Sequence, residues 1–210
     1  MTIRRFLSIK DNTITNTYKA DLKTRATNSN LGASDVAEIF SIYAQASTSS
    51  IEKSRILVQF PVNEINSLIK DGKIPETGVA YKLKLFNSTH SYTTPENFVL
   101  SVSPVLQSWD EGSGLDMEGY SDLGSSNWLS CSSGTLWFDQ GATIPIKQNL
   151  ESQFTVPPVE VIQEFKAGTE DLEVDITPYI SSWRKILNNT GTKASGSVQF
   201  TSNPNQNEKL

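Results

Sequence analysis

Two residues could supply nucleophile or base chemistry of the hydrolase kind: His90, the single histidine, and Cys131, the single cysteine. A Ser-His-Asp hydrolase would have to use His90 as its base. That residue sits in Ser88-Thr89-His90-Ser91-Tyr92, a polar stretch between two strand patterns, and reads as a loop histidine. Cys131, in Leu129-Ser130-Cys131-Ser132-Ser133, would need a nearby base or cation to become a thiolate nucleophile. With no second cysteine there is no intrachain disulfide and no multi-cysteine metal site, so Cys131 reads as a passive small side chain.

The second constellation is acidic. Asp110, Glu111, Asp116, Glu118 and Asp122 fall in a glycine-rich stretch and offer hard oxygen ligands of the kind calcium takes. Their spacing lacks the glycine at the sixth and glutamate at the twelfth position of an EF-hand loop, and solvated loop acids are the simpler reading. Asp110-Glu111 with Asp116 or Glu118 could also form a glycosidase carboxylate pair. Beside them, Trp109, Tyr120 and Trp128 are the candidates for stacking on a sugar ring. The other two tryptophans are explained by elements, Trp137 by a strand and Trp183 by the apolar face of a helix. Asn87-Ser88-Thr89 and Asn188-Asn189-Thr190 match a glycosylation acceptor, a chance event in a chain so rich in Asn, Ser and Thr.

Composition narrows the classes further. The 210 residues suit one large domain, expected over 1–202, with a polar segment at 203–210 that leads into a longer chain or contacts a partner. Charged residues make up 20% and hydrophobic residues 37%, a balance suited to strands joined by polar loops. A net charge of −5 leaves no basic stripe for phosphates, which disfavours nucleic acid as partner. The opening Met1-Thr2-Ile3-Arg4-Arg5-Phe6-Leu7 lacks the apolar run of a signal peptide, and no stretch is long enough to span a bilayer, so a protein made without secretion and without a membrane partner is expected.

The elements that must position these residues are mostly strands. Extended segments are expected at 3–9 and 12–18, a turn-rich loop at 28–34, and a central strand at 36–44 with apolar side chains on both faces. Residues 54–60 read as a strand that stops at Pro61. Further strands are expected at 81–86, 98–106, 136–138, 154–156, 159–165, 172–176 and 195–201. The stretch 109–128, with four glycines among the acids, reads as a long functional or packing loop. Two short helices are expected at about 61–71 and 178–188. The first has Pro61 in its first turn and Gly72 beyond its end; the second has Thr177 as N-cap and Pro178 at its first position. The fold class is all-β, a sandwich with the two helices closing its ends.

Several segments, taken in order, resemble the DNRLRE-type, carbohydrate-binding-module-like jelly roll. The Asn-x-x-Gly-x-Ser loop of that family matches Asn28-Ser29-Asn30-Leu31-Gly32-Ala33-Ser34, with one extra residue before the glycine. Its Arg-led strand matches Ser54-Arg55-Ile56-Leu57-Val58-Gln59-Phe60, its Ser-Trp-x-Glu-Gly turn Ser108-Trp109-Asp110-Glu111-Gly112, and its helix start Asp175-Ile176-Thr177 through Trp183. The resemblance implies a jelly roll whose motif residues are chiefly architectural. The whole chain also resembles structural proteins of tailed-phage particles, through Arg4-Arg5-Phe6-Leu7, Asp11-Asn12-Thr13-Ile14 and the stretch 109–128. This implies a non-enzymatic virion component of the head, neck, tail or fibre, assembled in the host cytoplasm, present in many copies and docking on other virion proteins. A carbohydrate-binding or receptor-binding module that takes a surface glycan is the alternative, and a glycan hydrolase a third reading.

Overall fold

The structure, a computed structural model, describes residues 2–89, 94–143, 160–190 and 194–202. The strands are β1 (Lys10–Thr15), β2 (Ser41–Tyr43), β3 (Ile51–Gln59), β4 (Lys82–Leu85), β5 (Phe98–Val105), β6 (Ser130–Ser132), β7 (Thr135–Leu136), β8 (Val161–Phe165), β9 (Leu172–Asp175) and β10 (Ser197–Ser202). Helix α1 spans Val62–Lys70 and α2 spans Thr177–Thr190. No helix among the described residues is long and apolar enough to cross a membrane. The fold is mostly β, as expected. The expected strand at 154–156, the 203–210 segment and His90 lie outside the described residues.

A six-stranded antiparallel sheet runs β1-β3-β10-β5-β8, with β2 added on β3, and two smaller pairs, β4-β9 and β6-β7, accompany it. The neighbours on the main path are non-consecutive in sequence, so long connections must cross over the sheet, and the alternation of side chains sets what each face can bury. Along β3, Ile56 and Val58 face one way and Leu57 and Arg55 the other. The first face, with Leu100, Val102, Phe165, Val198 and Phe200, meets a layer built from β4, β9 and both helices. The second face holds Ile14, Leu57 and Val105 and is covered by the loop that follows β5, which contributes Trp109, Trp128, Cys131 and Trp137.

Both helices differ in placement from the sequence expectation: they pack against one another within one core, and do not stand at separate ends. Asn66 of α1 bridges them, donating to Asn188 Oδ1 at 3.2 Å and accepting from Arg184 Nε at 3.3 Å. The reason lies in their apolar stripes. Val62, Ile65 and Ile69 on α1 and Ile180 and Trp183 on α2 share the sheet face formed by Ile56, Val58, Val102, Val198 and Phe200. Thr177 opens α2, but its hydroxyl accepts the Tyr81 N–H at 2.8 Å, tying β4 to the helix start, while Asp175 accepts the Thr177 N–H at 2.8 Å.

The strand expected at 36–44 is also corrected. Only Ser41–Tyr43 forms a strand, and Val36 is exposed. The Ser54 hydroxyl intercepts this segment, accepting the Phe40 N–H at 2.8 Å and donating to the Glu38 carbonyl at 3.0 Å. Side-chain bonds thus replace part of the ladder that periodicity alone predicts.

Trp183, nearly without solvent exposure at the junction of helix and sheet, is the largest of these core side chains. Trp183→Ala is expected to cost about 3–5 kcal/mol of unfolding free energy, measured by urea denaturation followed by circular dichroism.

Candidate functional site

The site is the loop at 106–143, and two buried asparagines fix it to the sheet. Asn12, on β1, donates from Nδ2 to the Ser126 hydroxyl at 2.8 Å and the Ser126 carbonyl at 3.1 Å, while its Oδ1 accepts the Leu31 N–H at 3.1 Å. Asn30 directs Nδ2 at Asp122 Oδ2, Ser125 Oγ and the Ser126 carbonyl, within 3.1–3.2 Å, and accepts the Gly114 N–H at 2.9 Å. Both side chains are fully buried. Their polar atoms replace the backbone pairing that an irregular loop leaves unmade.

The two glycine motifs found in the sequence meet here. A Cβ on Gly32 would lie 2.2 Å from the Gly112 carbonyl oxygen, one on Gly112 would lie 2.1 Å from the Asn30 amide, and one on Gly114 would lie 1.9 Å from the Asn30 carbonyl oxygen. Glycine is required because two backbone segments pass in direct contact. The Asn-bearing loop and the Trp-bearing turn are therefore two halves of one joint.

The tryptophans then close the loop over the sheet. Trp109 is buried and donates from Nε1 to Ser197 Oγ at 3.1 Å; Trp137 donates from Nε1 to the Asn127 carbonyl at 2.7 Å. Trp128 is 7% exposed, with the Arg55 guanidinium 5.2 Å from its ring centroid. Arg55 also donates to the Gly141 carbonyl and to the Thr143 hydroxyl. Burial lowers its pKa to about 10, against the opposing pull of Asp139. The sugar-stacking role expected for Trp109 and Trp128 is corrected to a packing role, because protein atoms already cover both rings. Tyr120 is half-buried, its hydroxyl 2.9 Å from the Ser113 hydroxyl.

The five acids are placed separately. Asp116 accepts the N–H groups of Glu118, Gly119 and Tyr120 in a tight turn, and Glu118 accepts the Ala20 N–H at 3.0 Å. Glu111 accepts the Asp11 N–H at 2.7 Å; burial, then the Glu111 charge, pushes the Asp11 carboxyl up. Asp110 joins the fold through its backbone, its N–H donating to the Cys131 carbonyl at 3.0 Å. Asp122 is held below its ordinary 3.8: partial burial would raise it, but hydrogen bonds from Ser125, Asn30, Gly124 and Ser113 outweigh that. Among the described residues no group of three or more His, Cys, Asp or Glu converges as a metal site. The carboxylates of Glu111, Asp116, Glu118 and Asp122 accept hydrogen bonds that brace the loop.

Cys131 is buried, and burial pushes its thiol up, away from thiolate chemistry. The nearby cavity beneath Val105, Trp137 and Phe138 is about 10 Å³, the space of one water. The asparagine joint was missed in the sequence because single Asn residues abound there; the signal was their place beside Gly32 and Gly112. Glu52 was missed as well. Fully buried on β3, it accepts the Thr17 hydroxyl at 2.8 Å and the Tyr18 N–H at 2.9 Å and so holds the chain after β1.

In comparisons with protein-family models, with curated proteins and with solved structures, nothing matches this chain.

Asn30→Ala should cost about 1–3 kcal/mol, because it leaves the buried Gly114 N–H without its acceptor and takes one donor from Asp122 and one from the Ser126 carbonyl; limited proteolysis should then cut within 111–125. Asp122, depressed in the folded state, stabilises the fold while ionised, above its ordinary 3.8, and that contribution is lost as pH falls through its folded value. Asp122→Asn should therefore reduce the acid-side slope of stability against pH in a thermal-melt series. An aromatic disulfide reagent should label Cys131 only upon unfolding, so that labelling and unfolding share one denaturant midpoint.

Proposed function

We propose that the chain is a non-enzymatic structural component of a tailed-phage particle, associated with head, neck, tail or fibre, that assembles in the host cytoplasm and docks on other virion proteins. Its β fold is read as a jelly-roll sandwich: a large antiparallel sheet of non-consecutive strands faces the smaller β4-β9 pair. The sequence resemblance carries the particle reading, and the exposed apolar residues of the 106–143 loop support docking.

The observation that supports this reading best is the loop at 106–143. It is fixed by two buried asparagines and three buried tryptophans, and its outer side presents Leu115, Leu123, Leu136 and Phe138 to solvent. A rigid surface with exposed apolar side chains suits contact with a protein surface. The carboxylates of Glu111, Asp116, Glu118 and Asp122 brace the loop, and the Cys131 thiol is buried. The carbohydrate reading named Trp109, Tyr120 and Trp128; the rings of Trp109 and Trp128 belong to the core, and Tyr120 is half-buried.

Mass spectrometry of purified phage particles should find this chain in multiple copies per particle, and immunogold labelling should place it at one location. Particles that contain none of it would overturn the reading.

A further inference from the structure

Residues 2–9 run ahead of β1 outside any strand or helix. Ile3 and Leu7 are 82% and 83% exposed, and Ile9 is 56% exposed. Phe6 alone packs partly against the helix-side core, with Arg4 at 5.7 Å from its ring centroid, and the Ile9 N–H donates to the Gln59 carbonyl at 2.8 Å. The segment carries Arg4 and Arg5 and no acid, in a chain of net charge −5. Neither arginine is in any of the four ion pairs among the described residues.

A surface of matching character lies on the loop that follows β5. Leu115 and Leu123 are 65% and 67% exposed and flank the contact of the Ser113 N–H with Asp122. Around them stand Asp116, Glu118 and Asp122, whose carboxylates are bonded to N–H, amide and hydroxyl groups and to no cation among those ion pairs. Lys19, the nearest ammonium, donates to the Glu118 carbonyl and leaves the carboxylate free of it.

We infer that residues 2–9 of one copy of this chain dock on the 115–123 surface of a second copy. Apolar side chains would cover Leu115 and Leu123, and Arg4 and Arg5 would meet the acids that have no cation of their own. Within one copy the two surfaces are not in contact, since Ile3, Leu7, Leu115 and Leu123 all stand exposed. A second copy can cover both. The contact joins two different surfaces, so it is heterologous and builds a ring or an open array, with every copy both donor and acceptor. This inference stands on the geometry and charge of the two surfaces and does not depend on the virion reading.

The test uses the purified full chain. Light scattering over a concentration series should show assembly that weakens as salt rises, since the arginine–carboxylate contacts are exposed and screened. Leu7→Asp and, separately, Arg4→Glu with Arg5→Glu should each weaken association on the order of tenfold. Glu118→Lys in the partner copy should restore part of what the arginine reversal loses. Ile3→Cys in one preparation and Leu123→Cys in a second, mass-tagged one, with buried Cys131 left in place, should form a mixed disulfide between copies on mild oxidation. A monomer at every concentration, assembly untouched by Leu7→Asp, or a disulfide that forms only inside a chain bearing both cysteines would each overturn the inference. Particle content by mass spectrometry reads the virion proposal separately.

Discussion

Asn30 is completely buried between two loops, and its one amide group accounts for bonds to Asp122, Ser125, Ser126 and Gly114. A loop as long as 106–143 has too little ladder of its own to hold a conformation, so its backbone polar groups must find partners elsewhere. Asn30 and Asn12 are those partners. Their position requires Gly32, Gly112 and Gly114, because a single methyl group at any of the three would overlap a backbone or amide atom. Once the joint is made, Trp109, Trp128 and Trp137 come to rest on the second face of the sheet, and the core there is complete.

That arrangement explains an otherwise awkward sheet. The face beneath the loop carries Arg55, Asn12, Ser101 and Gln199 among its apolar residues, a mixture that would be costly under a purely apolar cover. The loop supplies both kinds of partner: ring surfaces for Leu57 and Val105, and carbonyl and hydroxyl oxygens for Arg55. The opposite face is simpler. Ile56 and Val58 of β3, Leu100 and Val102 of β5, and Val198 and Phe200 of β10 face that way, and α1, α2 and the β4-β9 pair bury them, with the Tyr179 hydroxyl donating to the Val102 carbonyl at 2.8 Å. Stability and surface are thereby divided, with one face closed by regular elements and the other by a braced loop that also presents exposed leucines.

The features that looked reactive in the sequence are the ones that hold this loop in place. Asp116 and Asp122 cap backbone N–H groups, Glu111 pins the start of β1, and the Cys131 thiol is enclosed with Trp109 and Trp137. Tryptophan is suited to such a place because it buries a large apolar area while its one N–H needs a single acceptor, which Ser197 and Asn127 provide for Trp109 and Trp137.

The sequence by itself determined the β class, both helices and most strands, because the β-branched and aromatic density of 54–60, the alternation along 81–86 and 98–106 and the 3.6-residue spacing of Ile65, Leu68 and Ile69 are local signals. It also marked the glycine loops, since Gly beside Asn, Ser and Trp stands out in any reading. Tertiary structure alone decided that the two loops form one joint, that Trp109 and Trp128 turn inward, and that Ser54 interrupts the strand before it. Each of these depends on a partner that is distant along the chain, such as Asn30 for Gly114 or Arg55 for Gly141, and periodicity contains no information about such pairs. Burial decided the rest: the same tryptophan serves as a binding platform or a core residue according to what lies over it, and that is a property of the folded chain.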